Sequence, residues 1–230
     1  KAKKILQYEY INKKIFLLNK KKTIINYIKK ISLNKNLILD IKSLIDIMFN
    51  RKNLNITKKF SIANDFNLDF DLLNSDLRKK KKLYSIKNKK WLDWKYSRVI
   101  NTDRLWVIKN YNGNKLVGFL AFVINNEQNY KLKKSTITEF SFLDENNFEN
   151  FEMVKKCILI SKEFNCDVVD VIGFNKFKKN IFKEIGFTDK KMSNFSFLVK
   201  NLSPEIEDVL FNSQNNLDMS LTDGDAIFSL

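Results

Sequence analysis

Apolar and polar positions change their spacing several times along this chain. Ile24, Ile25, Ile28 and Ile31 recur at helical spacing, as do Leu37, Ile41, Leu44, Ile45 and Met48. The pattern predicts two amphipathic helices, preceded by a strand or helix around Ile15–Leu18. Residues 60–71 mix aromatic with acidic side chains and predict a strand or extended segment, and the lysine run from Arg78 to Lys82 predicts a solvated helix face. Two β runs follow, 105–111 and 115–124, joined through Asn112-Gly113-Asn114, a strong hairpin signal. A third strand is predicted over 135–143, with Ile137, Glu139, Ser141 and Leu143 on one face and Thr138, Phe140 and Phe142 on the other.

Helical spacing returns over residues 147–165. Phe151, Val154, Cys157, Ile158 and Phe164 mark the buried side, and Glu149 and Glu152 lie in the first turn, where the helix dipole favours carboxylates. A strand over 168–174, a short helix closed by Gly186 and a strand over 195–201 complete the pattern. After Pro204 a short helix leads to a last strand. This order predicts an α/β (α+β) protein with a mixed sheet flanked by helices and an N-terminal helical segment. Residues 1–64 read as a basic helical linker, or the tail of a preceding domain, and 65–230 as the main domain.

Charge changes this picture little. The 230 residues carry a formal charge of +16. Among 42 basic residues, only Arg51, Arg78, Arg98 and Arg104 are arginine, the side chain best suited to grip phosphate or guanine in a fork. Lysine, asparagine and isoleucine are enriched together, as an A/T-rich coding sequence produces without selection for nucleic acid. The basic residues crowd the first sixty positions, whereas the last thirty carry acidic side chains and no lysine or arginine. A protein partner for residues 1–60 follows as an expectation, and nucleic acid is the weaker one.

Histidine is absent, and the two cysteines, Cys157 and Cys166, form no CxxC pair. No metal site is expected, nor any scheme that uses imidazole. A disulfide framework is not indicated, and no apolar run is long enough to span a bilayer, so a cytoplasmic setting is expected. The chain begins KAKKILQYEY, without an initiator Met, which suggests a processed chain or a fragment.

Several segments resemble the GNAT superfamily of N-acyltransferases. ITEFSF followed by a helix is similar to the strand and helix that hold acyl-CoA there, and DVVDVIGFNKFKKNIFKEIGF is similar to the next strand and helix. KKWLDWKYS and LTDGDA resemble signatures of a bacterial branch often linked to surface-polysaccharide genes. The resemblance runs from Asp65 to Leu230. It implies a mostly antiparallel sheet, acetyl-CoA or another acyl-CoA as co-substrate, and an amine of a small molecule or amino sugar as acceptor. Carried over by position, it implies cofactor contacts at Phe140, Ser141, Phe142, Leu143, Asn146, Asn147, Asn175 and Phe182. Two departures stand beside it. The family's glycine-rich pyrophosphate loop is replaced by Leu143-Asp144-Glu145-Asn146-Asn147-Phe148-Glu149, and its helix-closing tyrosine, a proton donor to the leaving thiolate, is Phe182.

Acyl transfer to an amine needs a base and an oxyanion donor. Glu139 interrupts an apolar strand and is the first candidate base; Asp170 interrupts the next strand in the same way. The alternative for Glu139 is a solvent-facing position or a pairing with a lysine on a neighbouring strand. Trp91, Trp94 and Tyr96 would stack on an acceptor or cap the sheet, and Asp223 and Asp225 would bind a cationic amine or form an Asx-type turn. A domain of this fold that binds without catalysing is the competing expectation.

Overall fold

A computed structural model describes residues 12–18, 54–80, 83–127, 132–145, 147–172, 176–191 and 217–218. The helices expected over residues 24–48, and the strand expected over 195–201, lie outside the described residues. Strands β1 (Asn12–Leu17) and β2 (Ser61–Ala63) precede helix α1 (Asp69–Lys80), strand β3 (Leu83–Tyr84) and helix α2 (Lys89–Lys95). Strands β4 (Leu105–Asn112), β5 (Lys115–Glu127) and β6 (Leu132–Phe142) then form a meander that leads into helix α3 (Glu149–Glu163). Strand β7 (Val168–Ile172), helix α4 (Lys176–Ile185), β8 (Thr188–Lys191) and β9 (Leu217–Asp218) complete the order.

The main sheet has the order β2-β4-β5-β6-β7-β1-β8. All its neighbours run antiparallel except β6 and β7, so the sheet is mixed and mostly antiparallel, as expected. Helices cover both faces. On one, Val154, Cys157 and Ile158 of α3 and Ile181, Phe182 and Ile185 of α4 bury against Ile108, Leu120, Phe122 and Phe140. On the other, Phe70, Leu73 and Leu77 of α1 and Leu92 of α2 bury against Val107, Phe119, Ala121 and Val123. A fully buried side chain of this size contributes about 1.5–3 kcal/mol, so both helical layers are held chiefly by their apolar faces.

Three expectations are corrected. The boundary at residue 64 does not separate a linker from the sheet, because β1 lies between β7 and β8 and pairs with both, Lys13 with Ile172 and Lys14 with Asp189. Strand alternation cannot reveal such a partner, since pairing is decided across the whole chain. The aromatic–acidic segment 60–71 is a strand only over Ser61–Ala63; helix α1 starts at Asp69, where Asp69 and Asp71 complement the dipole of the first turn. Finally, Ala121 pairs with Glu139 but Phe122 pairs with Ile137, so Thr138 is an extra residue in β6. That bulge breaks the alternation. Ile137 therefore packs in the α3–α4 core with Phe140 and Phe142, opposite Glu139.

Local chemistry fixes the turns. The β4–β5 hairpin has Gly113 at φ 58 as the first of its two loop residues, a position that glycine occupies without steric cost. Gly186, at φ 108, closes α4, and Phe187 N–H returns to Phe182 O at 2.9 Å. Cys157 and Cys166 are buried free thiols; burial pushes both up, Cys166 to about 11.

Candidate functional site

The parallel pair β6–β7 is matched only from Lys134–Val168 to Ile137–Val171. Beyond that point β6 continues to Phe142 with β5 as its partner, while Ile172 remains paired to β1 on its other side. Among the described residues the pairing of β6 with β7 thus ends at Ile137–Val171, just before the Thr138 bulge. Leu143 N–H donates to Val117 O at 2.9 Å on the β5 side. Because N–H directions alternate along a strand, those of Phe140 and Phe142 face away from β5, on the side of β6 that pairs with β7 as far as Ile137. The side chains of these two residues are buried with their ring centroids 4.9 Å apart. Lys178 of α4, also fully buried, brings Nζ to 5.5 Å from the Phe142 ring and 6.0 Å from the Phe140 ring. Phe182, one turn further along α4, packs its ring 5.7 Å from Phe140.

Glu139 lies on the opposite face, fully buried, with Oε2 bonded to Lys87 Nζ and Oε1 to Lys95 Nζ. The two lysines are placed by the α1–α2 connection. Lys87 N–H donates to Asn74 Oδ1 and Lys89 N–H to Asp71 Oδ1, both at 2.8 Å, and Asn88 caps α2 by accepting from Trp91 N–H. Lys95 Nζ also stands 4.5 Å from the centre of the Trp91 ring. A buried carboxylate is tolerated where charged partners of this kind compensate it. Both lysine partners come from the α1–α2 layer, not from a neighbouring strand.

Asp170 is also buried; Thr136 donates to its Oδ1 at 2.6 Å and Lys134 Nζ lies 3.9 Å from Oδ2. Tyr96 is 1% exposed and its hydroxyl donates to Thr138 Oγ1 at 2.7 Å, tying α2 to the bulge. Trp91 is partly buried against the α1–α2 core. Trp94 is 62% exposed, its ring 6.5 Å from that of Trp91. Of the three aromatics, Trp94 alone presents a largely solvent-facing ring. Ser141 is buried, with no hydrogen-bond partner for its hydroxyl oxygen. Asn146, Asn175, Asp223 and Asp225 lie outside the described residues.

The start of α3 decides how much of an acyl-CoA the fold can hold. Glu149 N–H donates to Asn147 Oδ1, Asn150 N–H to Asn147 O, and Phe151 N–H to Phe148 O. The helix-terminal donors that would grip a phosphate are engaged in these bonds. Glu152 accepts Thr57 N–H, the Thr57 hydroxyl and Lys58 N–H, and Glu149 accepts Lys58 Nζ at 2.6 Å. Burial pushes the Glu149 and Glu152 carboxyls up, but these donors outweigh it and hold both below the ordinary carboxylate range. The N–H groups of β6 beyond Ile137 that point away from β5 are the ones with which an extended thioester arm would pair. The α3 start, with carboxylates in its first turn, does not fit a pyrophosphate. Phe142, Leu143 and Asn147 instead line a cleft of about 260 Å³ between the β4–β5 hairpin and α3.

Among the described residues no cluster of metal-ligating side chains occurs, and no helix is long and apolar enough to cross a membrane. No known protein family and no curated protein matches the sequence. Among solved structures, the chain is similar to a predicted acetyltransferase from Clostridium acetobutylicum, crystallised with acetyl-CoA. The identity there is 18% over 63% of this chain and 96% of that one, with a TM-score of 0.46. An aminoglycoside acetyltransferase from an uncultured soil sample matches at 14% identity over 62% and 96% of the two chains, with a TM-score of 0.47. N-myristoyltransferase of Saccharomyces cerevisiae matches at 13% over 78% and 45%, with a TM-score of 0.46. At these identities and scores, the three similarities assign neither a family nor an activity to the chain.

Proposed function

We propose that the protein transfers an acyl group from a pantetheine thioester, as in acyl-CoA, to the amine of a small molecule such as an amino sugar. The end of β6–β7 pairing at Ile137–Val171, with β6 running on to Phe142, carries this reading. An extended pantetheine arm pairs along β6 beyond Ile137 as an added strand, so main-chain groups supply the affinity. The amine nitrogen attacks the thioester carbonyl, a C–N bond forms, and the C–S bond breaks to release the thiolate. The N–H groups of Phe140 and Phe142 are the candidate oxyanion donors. Glu139 and Asp170, the candidate bases, are both buried and hydrogen-bonded. In this arrangement Glu139 orders Lys87 and Lys95, and it takes a proton only if the α1–α2 layer opens to admit the acceptor.

A second reading has one observation in its favour: the α3 N-terminus is filled by its own side chains and by Thr57 and Lys58. A domain of this fold that binds a partner without catalysis would need no pyrophosphate site. Acetyl-CoA separates the two. The acyltransferase reading expects a rise in melting temperature at millimolar acetyl-CoA, and release of free thiol when glucosamine is added. Absence of both overturns it and leaves the binding module.

A further inference from the structure

The basic end of α1 stands where a donor arm would leave the protein. β7 pairs with β6 only as far as Ile137, so an arm that pairs along β6 beyond that residue runs out past its end at Phe142. Lys80 Nζ donates to Leu143 O at 3.0 Å and so fixes the last turn of α1 beside that end. Arg78, Lys79 and Lys80 lie in this turn; all three are exposed, and they open a run of five basic residues over 78–82. Lys115 of the β4–β5 hairpin, also exposed, joins them through Asp76, 2.7 Å away, and Lys79 meets the same carboxylate at 3.4 Å. One carboxylate thus serves two ammonium groups and Lys80 is given to a neutral carbonyl, which leaves positive charge in excess on the α1 side. On the α3 side the sign reverses, with Asp144 and Glu145 following Leu143 and Glu149 held by Lys58.

Lys79, Lys80 and Lys115 are directed at separate acceptors and do not converge as a pyrophosphate requires, and the helix-terminal donors of α3 are engaged already. An extended acidic surface suits such a patch better, because complementary charge steers a large partner without close, desolvated contacts. We infer, resting on the acyl-transfer reading of the site, that the arm arrives as the phosphopantetheine of an acidic acyl carrier protein, which docks on Arg78, Lys79, Lys80 and Lys115 in preference to free acyl-CoA. A carrier-bound arm has one phosphodiester in place of the pyrophosphate and nucleotide, so it makes no demand on the α3 start. The acyl group passes from the carrier's sulfur to the acceptor nitrogen, the proton lost by the amine returns to the sulfur, and the carrier departs as the free thiol.

Fluorescence anisotropy of an acetylated acyl carrier protein, titrated with the whole chain and repeated with duplex DNA as competitor, tests it. Rates of thiol release from acetyl-pantetheine, acetyl-CoA and the acetylated carrier, with glucosamine present, complete the test. The carrier is expected to bind in the micromolar range, and to weaken about tenfold both at about 0.5 M salt and in the double variant Arg78→Glu, Lys79→Glu, whose exposed positions spare the fold. Its kcat/KM should exceed that of acetyl-CoA about tenfold. A carrier used no better than acetyl-CoA, an affinity untouched by the charge reversal, or tighter binding of duplex DNA overturns the inference and leaves acyl transfer standing. Thiol release from none of the three donors overturns acyl transfer and this inference together.

Discussion

Glu139, Lys87 and Lys95 are joined inside the protein, and their removal one at a time is predicted to be far more damaging than their joint replacement. Glu139→Gln takes the carboxylate from between two buried ammonium groups, each left without its charge partner on β6. A cost of about 3–5 kcal/mol is expected, read from the urea midpoint. The triple change Lys87→Met, Glu139→Leu, Lys95→Met removes these three charges together and should regain much of that loss. A Glu139→Gln protein as stable as wild type would show that the cluster holds nothing together. At this scale the sequence was half legible. A carboxylate in an apolar strand announces a special environment, but Lys87 and Lys95 look like any others in a lysine-rich chain, and only the fold of the α1–α2 connection distinguishes them.

At the scale of elements, α3 carries its own anchor for the preceding chain. Glu152 and Glu149 hold Thr57 and Lys58, and both carboxyls titrate below their unfolded counterparts. The folded form therefore gains stability above the unfolded carboxylate pKa, and that gain disappears as pH falls through the lower folded values. Acid denaturation should accordingly steepen on the low side of the ordinary carboxylate range. Glu152→Gln should flatten part of that limb while lowering stability at neutral pH, as followed by thermal melts from pH 3 to pH 7 (about this range spans the carboxylate titration). An acid limb identical in wild type and variant would remove Glu152 from the account. The meander, α3, β7 and α4 were legible because their periods are clean and their turns carry Asn-Gly or a closing glycine. The Thr138 bulge was not, because one added residue leaves no mark in composition and only shifts which neighbours share a face.

For the molecule as a whole, the main sheet is assembled from distant parts of the sequence. A chain beginning at Asp65 lacks β1 and β2, which leaves β7 and β8 without the strand between them. It is predicted to lose cooperative urea unfolding and amide chemical-shift dispersion. A truncated chain that melts like the full one would mean that β1 is dispensable. Local pattern could not foresee this arrangement, since the lysine-rich start resembles a solvated linker and its partners lie far along the chain.

The position of β1 also sets an order of events at birth. Residues 12–17 are made before the other strands of the main sheet, yet the strands on either side of them, β7 and β8, come last among the main-sheet strands. The β4–β6 meander and its helices have their neighbours at hand and form early, whereas β1 must wait until β7 and β8 have been made before it takes its place in the sheet. Such long-range contacts slow folding. The interval leaves β1 without its neighbours and open to pairing with a second nascent chain, so slow or crowded translation is where this protein is most exposed to strand exchange.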